Sequence, residues 1–412
     1  MNIIQVNNCD LAGRRFNGHD LQLSLNELGH QSYQLVLEKS GVEATTIPIC
    51  DSNGLFIRST LRSVESQWSI NNLINPIGKM LMQMDHFKNA DIVHYHLIHN
   101  HLVSILDMPE LAYLKPSVWT IHDPWMVTGN CIHPRECTRW QTGCFQCPQL
   151  DEFNFPMKVD KAAQMWAIKR QVYEQMEIDI VVSSHFMEDY VRNSPLTAHF
   201  KKVHKIPFGI NVESFENIDK AKARTHWGIP LDSFVISFRA DSNKNKGLNY
   251  LIEMLNGFSV QQPITILSIG NASLPLHLTE KYNVIELGWQ NDLDTVYDFY
   301  GASDVFIMPS LAESFGMMAI EAMASGCPII VFEDTVLPEI TFAPECGIAV
   351  PYGNSELLRI TVERLMDAPE ELRWRGERGK QLAREYYQYT DYIKKHISLY
   401  QDIMDRSEGG GL

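Results

Sequence analysis

Two glutamates stand eight positions apart in Glu313-Ser314-Phe315-Gly316-Met317-Met318-Ala319-Ile320-Glu321. Ionised carboxylates make strong charge-assisted hydrogen bonds to hydroxyl groups, in which sugars and riboses are rich. An apolar run, Val305 to Met308, precedes the first acid, and a second, Ile329 to Phe332, follows the second. The pattern reads as strand, loop, helix, strand, with the loop at the carboxyl end of a strand, where open α/β sheets bind ligands. The helix start offers free N–H groups and a positive dipole end suited to phosphate. Glu313 falls in the loop and Glu321 about two turns along, so both can face one crevice. Glu-x7-Glu alone also fits an amphipathic helix with two exposed acids.

Upstream, the apolar run Phe234 to Phe238 ends in Arg239, and Lys246-Gly247 precedes a helix starting near Leu248. Arginine suits bidentate phosphate contact, and lysine acts as a point charge. Fixed cations beside a departing diphosphate would stabilise its developing charge. A solvated loop with ordinary surface cations is the plainer alternative. Another strand ends in Trp119-Thr120-Ile121-His122-Asp123, which sets His122 at a sheet edge. A neutral imidazole there can hydrogen-bond a sugar hydroxyl. His94 and His96 share one face of an earlier strand by its period of two, as acceptor-side or packing residues.

The whole string, Pro-Ser-Leu-x-Glu-Ser-Phe-Gly with Ile-Glu-Ala-Met-Ala-x-Gly-x-Pro, resembles the donor site of retaining, GT-B-fold glycosyltransferases of family 4, the glycosyl transferases group 1. The resemblance implies an α/β fold of two Rossmann-like doubly wound domains facing across a cleft, closing to exclude water. It implies that Glu313 and the amides of Ser314, Phe315 and Gly316 meet the sugar and diphosphate, and that Glu321 binds the ribose. Arg239 and Lys246 would hold the diphosphate and His122 the donor sugar. The family has Arg, a short loop, then Lys-Gly. Here Lys246 lies two residues beyond the usual place, while Lys244 has the usual distance without the glycine. Relatives carry two glycines after the first strand. This chain has only Gly13, followed by Arg14 and Arg15, so the donor-side role falls on Gly13 alone.

The implied function is transfer of a sugar from a nucleotide diphosphate sugar, UDP- or GDP-linked, to a glycan or lipid-linked oligosaccharide in surface polysaccharide synthesis. Attack would come on the same face, with the leaving phosphate taking the acceptor's proton, without an enzyme nucleophile or a required cofactor. A sugar-nucleotide epimerase or hydrolase, or a non-catalytic nucleotide-sugar-binding subunit, are the alternatives.

Cys131, Cys137, Cys144 and Cys147 cluster just after His122. A Cys-x-x-Cys pair with two further cysteines matches tetrahedral structural zinc, with free thiols or two disulfides as alternatives. Four thiolates would leave no open position for a catalytic metal. The surrounding residues resemble a family 4 subgroup found in capsule, O-antigen and exopolysaccharide gene sets. Cys9, Cys50, Cys327 and Cys346 are isolated and read as buried small hydrophobes.

The 412 residues suffice for two domains. Residues 1–207 read as an acceptor-side domain with a cysteine-rich insertion near 131–147, and 208–386 as the nucleotide-sugar domain. Residues 387–412 read as a helix crossing back, ending in a frayed tail from 407. The strands expected are Asn2 to Asn7, Gln34 to Leu37, Ile92 to His96, Ser117 to Ile121, Ile180 to Ser183, Phe234 to Phe238, Thr265 to Ile269, Asn283 to Glu286, Asp304 to Met308 and Ile329 to Phe332. Helices are expected over 17–28 and 73–87, with a hinge near Pro207. A net charge of -15 argues against a nucleic-acid partner. No run approaches the ~20 apolar residues of a membrane span, and the start has no secretory pattern, so a cytoplasmic protein is expected. The segment 157–176, with Lys158, Lys161, Lys169 and Arg170, reads as an amphipathic helix. It is either an ordinary helix of the first domain or a peripheral membrane contact.

Overall fold

The computed structural model describes residues 1–151, 155–216, 218–259 and 262–409. Among these the chain divides into two compact units, one of Met1–Ile206 joined by the chain from Ile393 onward, the other of Pro207–Tyr392.

The first unit is built on seven strands: β1 (Asn2–Cys9), β2 (Gln31–Glu38), β3 (Thr46–Pro48), β4 (Ile92–Tyr95), β5 (Ser117–Ile121), β6 (Asp179–Val182) and β7 (Val203–Lys205). Their order is β3-β2-β1-β4-β5-β6-β7, and every pairing is parallel. The central strands are apolar because helices cover both faces of such a sheet; Ile3, Ile4, Val6, Val93, Val118 and Val182 are all fully buried. Gln5 is an exception within β1 and pairs in register with His94 of β4.

The second unit has six strands: β8 (Phe234–Ala240), β9 (Ile264–Gly270), β10 (Asn283–Glu286), β11 (Val305–Met308), β12 (Ile329–Phe332) and β13 (Ile348–Val350). The order is β10-β9-β8-β11-β12-β13, again all parallel. Order reverses at β8 and β11, which are neighbours, so the loops after these two strands flank a topological switch point.

The helix expected over 73–87 is broken. Pro76 starts a short helix, Ile77–Gln83, and extended backbone at Met84 separates it from Asp85–Lys88. The segment 157–176 is helical only over Ala162–Tyr173, and its apolar residues Met165, Trp166 and Val172 are buried in the first unit. Lys169 does not sit on a charged face. It is fully buried, donates to the carbonyls of Trp125 and Thr128, and lies 3.3 Å from the Trp125 ring centroid. Burial pushes its amine down to about 7. No apolar face of this helix is left for a membrane. No helix among the described residues is long and apolar enough to cross one.

The last helix is Tyr389–Gly409. Residues 407–409 of the expected frayed tail are therefore helical, while 410–412 lie outside the described residues. Arg406 on this helix holds Asp179 at 2.8 Å within the first unit.

Candidate active site

The loops after β8 and β11 form one cluster in the second unit. Lys246 ends a short 3-10 turn, Lys244–Lys246. Its Nζ lies 2.6 Å from Glu313 Oε1, which also accepts from Ser310 Oγ at 3.0 Å. Leu311 N–H donates to the Asn245 carbonyl at 2.8 Å and ties the two loops together. The structure thus sets Lys246 against Glu313 and leaves Lys244 exposed.

Both loops turn into helices through left-handed glycines. Gly247, with φ +74, precedes Leu248–Gly257, and Gly316, with φ +98, precedes Met317–Ser325. A Cβ on Gly247 would stand 2.0 Å from the Pro309 carbonyl oxygen, so only glycine lets these loops close together. The two helix starts sit beside adjacent strands and supply N–H donors and positive dipole ends where the cations already lie. Arg239 closes this side: it pairs with Asp241, and its guanidinium carbon lies 5.0 Å from the ring centroid of the exposed Trp289. Its Nε is buried and lacks a protein hydrogen-bond partner.

Ser314 is half-buried. Phe315 is buried and packs edge-on against Phe208 and Tyr387, which anchors the loop before the helix. Glu321 differs from Glu313. It is 2% exposed, and its Oε2 accepts from Tyr300 Oη at 2.9 Å. The two carboxylates have different partners: Glu313 belongs to the Lys246 and Ser310 cluster, Glu321 to the buried Tyr300.

In the first unit His122 follows β5, and its Nε2 lies 3.1 Å from His96 Nδ1. The protein packed around the ring pushes His122 down to about 3. His94 and His96 stack at 4.3 Å between centroids, and burial drives both well below the ordinary histidine value. Burial raises Asp123, but His99 Nε2 at 2.9 Å and the Trp125 N–H outweigh it and hold that carboxyl low. Gly13 has φ +71 and sits under the Phe16 ring, so its freedom serves a local turn whose carbonyl accepts from Phe16 and Asn17.

Cys131, Cys137, Cys144 and Cys147 line one narrow cavity as free cysteines. Among the described residues no three Cys, His, Asp or Glu side chains stand in an arrangement that could hold a metal ion. Burial pushes the Cys144 thiol up to about 11, away from the thiolate zinc requires, and Cys144 packs in the apolar core. The residues present do not fit the zinc that their spacing suggests. Cys327 and Cys346 are buried, whereas Cys9 and Cys50 are only half-buried.

Several site residues carried a weak sequence signal or none. Gln5 is a lone amide among buried aliphatics in β1, a signal that could have been read. Ser310 stands three residues before Glu313. Tyr300 and Trp289 reach the site from a helix and a loop that no motif marks.

Solved structures with this architecture share the whole chain. The sucrose-phosphate synthase of Thermosynechococcus elongatus superposes with a TM-score of 0.69 at 17% identity, over 98% of this chain and 100% of that one. Anabaena Alr3699/HepE, solved in complex with UDP and glucose, gives 0.66 at 13% identity over 97% and 99%. The fold is GT-B, two Rossmann-like units with parallel sheets of seven and six strands. Within it, residues 219–382 match the family Glycosyl transferases group 1, and this segment belongs to that family. Curated relatives include the putative colanic acid biosynthesis glycosyl transferase WcaC of Escherichia coli, 24% identical over 60% of this chain and 61% of its own length. The MMP alpha-(1->4)-mannosyltransferase of Mycolicibacterium hassiacum is 26% identical over 58% and 56%. The chain thus spans about three fifths of the length of these relatives.

Proposed function

We propose that this chain is a retaining glycosyltransferase that moves a sugar from a nucleoside diphosphate sugar to a hydroxyl of a glycan or lipid-linked acceptor in polysaccharide synthesis. The observation that carries the reading is the Lys246 and Glu313 pair between two glycine-led helix starts, with Arg239 alongside. A diphosphate takes the positive charge of Lys246 and Arg239 and the loop N–H groups, while Glu313 accepts from sugar hydroxyls. Glu321, held by Tyr300, is assigned to the ribose. In the transfer the bond from the anomeric carbon to the phosphate oxygen breaks. A bond to the acceptor oxygen forms on the same face, and the acceptor proton passes to the leaving phosphate. His122 accepts a hydrogen bond from a substrate hydroxyl. HepE was solved with UDP and with UDP-glucose, which puts a UDP-sugar first among the donors to try.

The test is thermal shift against UDP, GDP, ADP and their sugar conjugates, with Glu321→Ala as control. Ligand at about 100 times its Kd adds about 2.7 kcal/mol. One nucleotide series should stabilise the native protein and not the variant. No shift with any of them would remove the donor site from this reading.

A further inference from the structure

Behind His122 runs a buried chain of hydrogen bonds whose proton directions can be worked out atom by atom. His96 Nε2 lies 2.8 Å from Gln5 Oε1, and Gln5 Nε2 lies 3.3 Å from Tyr400 Oη. Tyr400 Oη lies 2.7 Å from His94 Nδ1, and His94 Nε2 lies 2.6 Å from Thr120 Oγ1. An amide oxygen only accepts and an amide nitrogen only donates. The network orients the amide: Tyr400 receives the Gln5 N–H and gives its own proton to His94 Nδ1, and His94 then donates from Nε2 to Thr120. On the other side the Gln5 oxygen requires the proton of His96 on Nε2. Neutral His96 therefore offers a lone pair at Nδ1, and His122 must donate to it from Nε2.

We infer that Gln5 is a positioning residue that, through His96, holds His122 as the Nε2–H tautomer, so that His122 meets its ligand with Nδ1 as a hydrogen-bond acceptor. Gln5 is fully buried and His96 is 1% exposed, so water does not compete for the bond that sets the direction. Gly18 closes over it. A Cβ there would stand 2.5 Å from His96 Nε2 and 2.9 Å from Gln5 Oε1. The ligand of such an acceptor is a hydroxyl that donates, and its assignment to a sugar rests on the transferase reading above.

The tautomer is read by long-range proton–nitrogen correlation on the full chain labelled with nitrogen-15 histidine. In the native protein His122 is expected to show a protonated Nε2 and a bare Nδ1; the reverse, or an average of both, overturns the inference. Gln5→Met should admit the second tautomer, and Gln5→Glu, which keeps an acceptor oxygen, should restore the first. An unchanged His122 in Gln5→Met overturns the role of Gln5. Should Gln5→Met fail to fold, Tyr400→Phe removes the partner of the amide nitrogen and is expected to admit the second tautomer too. With a nucleotide sugar that turns over, Gln5→Met should lower kcat about tenfold at similar KM and Gln5→Glu should recover it. The spectra need no substrate. A failure of every nucleotide sugar would strike the transferase reading and leave the tautomer assignment standing.

Discussion

Lys246 Nζ meets Glu313 Oε1 at 2.6 Å across the two loops that follow the adjacent strands β8 and β11. Both side chains keep some exposure, 20% and 12%, so the pair can exchange partners with a ligand without unfolding either loop. Glu313→Ala should lower turnover by at least about a hundredfold while circular dichroism stays native. Near-normal rates would remove Glu313 from the chemistry.

The two lysines of the loop should separate. Lys246→Ala is expected to cut turnover about a hundredfold or more, because the charge facing Glu313 and the diphosphate is lost. Lys244→Ala, on an exposed side chain, should change it less than about twofold. Steady-state rates on one donor compare them directly, and equal losses would refute the assignment.

Gly247→Ala should destabilise by about 3 kcal/mol or more, since strain at φ +74 adds to a Cβ 2.0 Å from a carbonyl oxygen. Gly228 has φ +64 with nothing within 4 Å, so Gly228→Ala carries strain alone, about 1–2 kcal/mol. Denaturant midpoints of the two variants measure the difference, which is the packing of the site loops.

Stability should fall with acid already below the ordinary histidine range. His94, His96 and His122 are pushed down by burial, His122 to about 3. In the unfolded chain each takes a proton near about pH 6.5. Below that the unfolded state binds protons the folded state refuses, so stability rises with pH there, by up to about 1.4 kcal/mol per pH unit for each ring. The benefit is fully present above about pH 6.5 and is lost progressively below it. Tm followed from about pH 7.5 to about pH 5 should drop; a flat profile would show that the rings protonate in place.

Tyr300→Phe should cost about 1–3 kcal/mol by removing a buried donor from the Glu321 carboxylate. Chemical denaturation measures it. A neutral effect would show that Glu321 is held by other groups.

Much of the second unit was legible in the chain. Asn283–Glu286 and Ile329–Phe332 have the bounds their apolar runs suggest, and β8, β9 and β11 differ by a residue or two at their ends. Such runs between turn signals are local facts, and a parallel sheet covered on both faces demands them. The break at Met84 was not legible, because the apolar spacing continues through it. The cysteine cluster misled for a related reason. Spacing brings four sulfurs to one cavity, but ligation depends on where each side chain points, and Cys144 turns into the core.

Sequence by itself determined the alternation of strands and helices, the glycine-led loops and the residue types able to hold a diphosphate and hydroxyls. These are set by short-range sterics and by chemistry within a few residues. Only the tertiary structure decided that Lys246 rather than Lys244 meets Glu313, and that Glu321 is buried against Tyr300. It also decided that Gln5, His96 and Tyr400, with up to 395 positions between partners, form one chain of hydrogen bonds behind His122. Those choices rest on register between distant strands and on which buried polar atoms can satisfy one another, and no local pattern encodes either.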